Sequence, residues 1–222
     1  EANEAAFKIA RHTGRSRILA AENGFHGRTM GALAMTGQPA KREPFEPMPA
    51  GVEFYPYGDI DALTALVEKA PADTAAVILE PLQGEGGVVE PPEGFLADVR
   101  ALCTEHGVLM IVDEVQTGFG RTGALFACQH AGIEPDIIVM SKAVGGGLPL
   151  AVLGIKKEFD AWEPGHHTGT FRGNQLAMAT GLTTLQYLKE HKVADKVAAQ
   201  GEWLKGKLTE LQKRYPVIGH VR

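Results

Sequence analysis

Cysteine is nearly absent from this 222-residue chain: Cys103 and Cys128 are the only two. Two thiols cannot frame a disulfide-stapled fold, and their scarcity fits a reducing compartment, so a cytoplasmic protein is expected. No apolar run approaches the ~20 residues of a membrane span. The first thirty residues lack the charged and apolar regions of a signal peptide. An excess of base is missing too. Lys+Arg 22 face Asp+Glu 27, a net charge of −5, which argues against nucleic-acid or anionic-membrane partners. There is no internal repeat and no low-complexity tract. Neither Gly-x-x-x-x-Gly-Lys-Ser/Thr nor a Gly-x-Gly-x-x-Gly joining strand to helix occurs, which sets aside a nucleotide-binding module.

Glycine is abundant instead, 27 of 222 residues. It clusters at 84–87, at 118–120 and at 145–147. Clustered glycine without a period suggests backbone that approaches a ligand closely. Apolar runs alternate with helix-period segments, which predicts an α/β fold with a mostly parallel sheet and helices on both faces. The strands expected are Arg17–Ala21, Gly51–Tyr55, Ala75–Glu80, Val108–Val112, Asp136–Met140 and Leu150–Ile155. Glu93–His106 carries a one-sided stripe of Phe95, Leu96, Val99, Leu102 and Cys103, and Asp59 suits the N-cap of a helix through Ile60, Leu63 and Val67. Two long helices, through Met178–Leu188 and Val193–Leu211, leave the alternating pattern and lead toward a second domain. Residues 1–192 therefore read as one large domain, and 193–222 as a helix and an incipient strand, Val217–Arg222, leading toward a further domain. Because the chain opens in what reads as helix interior, a piece of a longer protein is expected.

Chemistry concentrates at two strand ends. Val108–Val112 runs into Asp113-Glu114-Val115-Gln116-Thr117-Gly118, and Asp136–Met140 runs into Ser141-Lys142-Ala143. If these strands are parallel neighbours, Asp113 and Lys142 both stand at the carboxyl edge of the sheet, where open α/β folds bind ligands. A salt bridge at that edge is the plain alternative. A carboxylate and an amine beside glycine-rich backbone also suit pyridoxal 5'-phosphate: its aldehyde needs a lysine for a Schiff base, and its ring is an electron sink only with a carboxylate at the pyridine nitrogen. A buried lysine serves no purpose in folding alone, which argues against a non-catalytic paralogue. The adjacent His166 and His167 lack spaced partners for a metal, so none is expected.

Phe25-His26-Gly27-Arg28-Thr29, Glu80-Pro81-Leu82-Gln83-Gly84-Glu85-Gly86-Gly87, the Asp113 and Lys142 runs and Thr170-Phe171-Arg172-Gly173-Asn174 come in one order. In that order the chain resembles the class III pyridoxal-phosphate-dependent aminotransferases, whose large domain is of fold type I. The resemblance implies Lys142 as the Schiff-base lysine, Asp113 at the pyridine nitrogen and Gln116 at the phenolic oxygen. It implies Phe25 and Val115 on the two ring faces, with His26 beside the cofactor. Thr170, at a helix entrance, would reach the phosphate of a neighbouring subunit in a homodimer with shared active sites. Glu85 would lie near the substrate and pair with an arginine. Arg121 belongs to the pattern without an assigned mechanism. Arg172 and the run after it resemble diaminobutyrate–2-oxoglutarate aminotransferases, which implies L-2,4-diaminobutanoate as donor and 2-oxoglutarate as acceptor. 4-Aminobutyrate, acetylornithine and ornithine aminotransferases are the alternatives. The resemblance also implies that segments before Glu1 and after Arg222 supply a phosphate loop and a substrate-binding arginine.

Overall fold

In the computed structural model, which describes residues 1–222, six strands form one sheet in the order β2-β1-β3-β4-β5-β6. They are β1 Arg17–Ala21, β2 Val52–Tyr55, β3 Thr74–Leu79, β4 Leu109–Asp113, β5 Ile137–Met140 and β6 Val152–Ile155. Five run parallel and β6 is antiparallel to β5. Each expected strand is found, displaced by no more than two residues at either end.

The side-chain alternation of the strands sorts the core into two layers. Leu19, Val77, Leu79, Met110 and Val112 face one way, against α4 (Ile60–Lys69) and α5 (Phe95–Glu105). Ile18, Ala20, Ala76, Ile78 and Ile111 face the other, against α1 (Ala2–Arg11) through Ala6, Phe7, Ile9 and Ala10. Helices thus cover both faces, which is why β3 and β4 are apolar at nearly every position. The Asp59 carboxylate caps α4 by accepting from Ala62 N–H at 2.9 Å. The short α2 (Met30–Ala34) and α3 (Pro39–Arg42) link β1 to β2, and α6 (Gln175–Glu190) and α7 (Val193–Arg214) follow the sheet.

Two expectations fail here. Val217–Arg222 forms no strand, since no strand lies beside it to accept its backbone bonds. Thr170 does not open a helix: it lies exposed in a turn, and Asn174 caps α6 instead, accepting from Ala177 N–H at 3.1 Å. No helix is long and apolar enough to cross a membrane.

Candidate active site

The register of the sheet sets the site. Leu79 pairs with Val112, so Glu80 and Asp113, each one step on, leave neighbouring strands side by side at the carboxyl edge. Both follow the parity of Ile78 and Ile111, so both point to the α1 layer. Lys142 enters from the next strand, in a 3-10 turn over Lys142–Gly145. These residues line one cavity of about 190 Å³ with Asn3, Phe25, His26, Val115, Gln116 and Ser141.

Asp113 is buried and surrounded by donors. Its Oδ2 accepts from Asn3 Nδ2 at 2.7 Å and from His26 Nδ1 at 2.8 Å, and its Oδ1 accepts from Val115 N–H at 3.0 Å. His26 carries the proton on Nδ1 in that contact. Its Nε2 is buried and has no partner. No ion pair joins Asp113 to Lys142, so the salt-bridge alternative for this pair is not realised. Lys142 is exposed at the mouth of the cavity rather than buried, because the turn after β5 lifts it off the sheet. Its backbone lies in the left-handed region, φ 51°, which costs a non-glycine residue about 1 kcal/mol or more. Strain of this kind is commonly kept where a side chain must be aimed.

The glycine cluster at 84–87 explains itself at Gly84. A Cβ there would come within 2.7 Å of Gln116 Oε1, so only glycine leaves the Gln116 amide its place at the cavity wall. Phe25 is half-buried, with the Arg28 guanidinium 5.6 Å and the Lys41 ammonium 4.8 Å from its ring centre.

Glu85 and Thr170 do not line this cavity. The Glu85 carboxylate is bonded to Lys41 and to Gln38 Nε2, and these bonds hold it below the ordinary carboxylate range. Arg172 lies outside as well, donating to Glu1 Oε2 at 3.2 Å and lining a separate, larger cleft. His166 meets His12 at 3.2 Å, and His167 stacks on Trp162. Both thiols are pushed up to about 12, by burial in each case, with Glu114 adding to it at Cys128, so neither is a nucleophile at neutral pH.

Among the lining residues to which sequence reasoning assigns no role are Asn3 and Glu80. Glu80 is visible only as part of a motif, although its place at the end of the strand beside β4 is a usable signal. Its carboxylate accepts from Phe25 N–H at 2.9 Å and Gly84 N–H at 3.1 Å, tying together the two loops that flank the cavity. Burial holds its carboxyl above the ordinary value of 4.5, Asp113 adds to this, and His26 and the two N–H groups oppose it. The native state therefore binds this proton more tightly than the unfolded chain. The Glu80 contribution to stability is present at acid pH and is lost as pH rises through the folded-state value. Urea unfolding from about pH 4.5 to neutrality is expected to show wild type gaining on Glu80→Gln toward acid. A difference independent of pH removes Glu80 from the site's electrostatics.

The family model for class III aminotransferases matches residues 1–222. The chain belongs to the class III aminotransferases. It is 61% identical over 203 residues to the acetylornithine aminotransferase of Corynebacterium efficiens, covering 91% of this chain and 50% of that one. It is 53% identical to the diaminobutyrate–2-oxoglutarate aminotransferase of Haemophilus influenzae, covering 100% of this chain and 54% of the relative. Ornithine aminotransferase from Toxoplasma gondii superposes with a TM-score of 0.94 at 36% identity, covering 100% of this chain and 54% of that one. The chain thus spans about half the length of the relatives it matches. Membership, with the PLP named at the active site of the Toxoplasma enzyme, indicates pyridoxal 5'-phosphate as the cofactor.

The cavity suits that group. It offers an amine at the mouth, a carboxylate held purely as acceptor, an amide at one wall, an aromatic ring, and two buried polar atoms without partners, Asn3 Oδ1 and His26 Nε2.

Proposed function

We propose that the complete protein transfers a remote amine of a short diamino acid to 2-oxoglutarate. The observation that carries this is the meeting of Lys142 and Asp113 in one cavity that Phe25, Val115 and Gln116 also line. Bound there, pyridoxal 5'-phosphate supplies an electron sink for the carbon that bears the amine. Asp113 would accept from the ring nitrogen and keep it protonated. Gln116 would donate its amide to the phenolic oxygen, and Phe25 and Val115 would pack against the ring, with His26 held on Asp113. Lys142 Nζ, freed when the donor amine binds, would take the proton from the donor's amine-bearing carbon and hold it for return. The second half-reaction, with 2-oxoglutarate, retraces these steps.

In the same reading Thr170, exposed on its turn, meets the phosphate of a neighbouring subunit in a homodimer, and Glu85 stands near the substrate's far end once released from Lys41. Residues 1–192 form the cofactor-binding domain and 193–222 lead into the next. The enzyme works in the cytoplasm.

Two donors have specific support. The Arg172 run favours L-2,4-diaminobutanoate, although Arg172 makes no contact with the cavity. The 61% identity favours N-acetyl-L-ornithine. Adding L-2,4-diaminobutanoate, N-acetylornithine, ornithine and 4-aminobutanoate in turn to the complete gene product, without acceptor, separates them. The preferred donor is expected to bleach the bound cofactor's absorption band rapidly, and 2-oxoglutarate to restore it. Failure of all four to change a band that is present discards the remote-amine reading.

A further inference from the structure

Asn3 is the residue by which α1 reaches the sheet edge, and it is buried. Its Nδ2 donates to Asp113 Oδ2 at 2.7 Å and to the His26 carbonyl at 2.7 Å. These two bonds use both amide hydrogens and so fix the plane of the amide. Its Oδ1 is left buried without a partner, in a residue that lines the cavity. A carboxylate oxygen offers about two acceptor positions. Asn3 and His26 fill both on Oδ2, whereas Oδ1 accepts only from Val115 N–H. One acceptor position on Asp113 therefore stays open, and it belongs to Oδ1.

We propose that Asn3 is a positioning residue: with His26 it saturates Asp113 Oδ2 and turns the carboxylate so that Oδ1 is the oxygen presented to the cofactor's ring nitrogen. The inference rests on the aminotransferase reading above. It gives α1 a polar group in the active site, beside Ala2, which also lines the cavity, while the helix's remaining buried residues are plain core. Without Asn3, Oδ2 regains a free position and the carboxylate can rotate, so the ring nitrogen meets a less defined acceptor.

The test uses the complete gene product loaded with pyridoxal 5'-phosphate carrying nitrogen-15 in the ring, whose resonance reports protonation of that nitrogen. Asn3→Ala is expected to raise the cofactor dissociation constant about tenfold, the scale of one lost hydrogen bond to a charged group. It is also expected to move the resonance toward the unprotonated position at an alkaline pH where wild type is still protonated. Asn3→Asp, of the same shape but setting an acceptor against Oδ2, is expected to move both further. Ile9→Val trims the core face of the same helix and should move neither. If Asn3→Ala fails to fold, Asn3→Ser, whose hydroxyl is too short to reach Oδ2, is expected to shift both readouts in the same direction. Wild-type affinity and resonance in an Asn3 variant overturn the proposal, as does an equal shift in Ile9→Val. A wild-type protein that takes up no cofactor sinks the aminotransferase reading itself, a distinct result.

Discussion

Replacing Lys142 by alanine in the complete gene product is expected to lower turnover by about four orders of magnitude and to leave the fold intact. The kinetic loss combines two roles at one atom. In the proposed mechanism Nζ would hold the cofactor covalently and would also carry the proton, a contribution of about 10²–10⁴ by itself. The fold survives because the Lys142 side chain is exposed and packs into no core layer. The backbone makes a second, opposite expectation. With φ at 51°, Lys142→Gly relieves left-handed strain and is expected to stabilise the protein by about 0.5–1 kcal/mol in urea unfolding, while being equally inactive. An inactive but more stable variant identifies the strain as serving the aim of the amine. Turnover within tenfold of wild type in Lys142→Ala, or a loss of stability in Lys142→Gly, contradicts this account.

The contrast between Lys142 and Asn3 separates what a sequence makes legible from what only the fold reveals. Strands β4 and β5 are unbroken apolar runs up to their last residues, so their composition alone marks them, and the polar residue at the end of each run is placed by its neighbours in sequence. Asp113 and Lys142 can therefore be brought to one edge from the pattern of two apolar runs. The cap at Asp59 is equally readable, because a cap is a local bond between residues three apart. Asn3 is not. Its partner Asp113 is 110 residues away, and on its helix it occupies an inward position among alanines that carry no hint of a carboxylate above them. His26 becomes informative for the same reason only once its ring is found on Asp113. The placement of Thr170 fails because a threonine before a helix resembles a cap, while the competing Asn174, four residues later, takes that role. Lys142 comes out exposed where it opens a 3-10 turn with its backbone in the left-handed region, a local geometry that the composition around the lysine does not announce.

Asp113→Asn tests the centre of this arrangement most sharply, because it changes charge and donor pattern with almost no change of shape. Asn3 and His26 both donate at the position of Oδ2, so the new carbonyl oxygen must take that place. The new amide NH₂ is then forced to the position of Oδ1, where it faces the Val115 N–H, donor against donor. Losing that bond in a buried site costs about 1–3 kcal/mol of stability, to be read in urea unfolding. The chemical cost is larger. The group now offered to the ring nitrogen is itself a donor, so the nitrogen can be met only in its unprotonated form, which is a poor electron sink. Turnover is expected to fall about a hundredfold to a thousandfold, the range seen when one preorganised electrostatic partner of a reacting group is removed. The cofactor's ring-nitrogen resonance should sit at the unprotonated position across the pH range. Asp113→Glu, which keeps the charge on a longer arm that Asn3 and His26 cannot both hold, should recover protonation but only part of the turnover. If Asp113→Asn left the nitrogen protonated, the oxygen facing the ring would have to be Oδ2 after all, and Asn3 and His26 would have to release it when the cofactor binds.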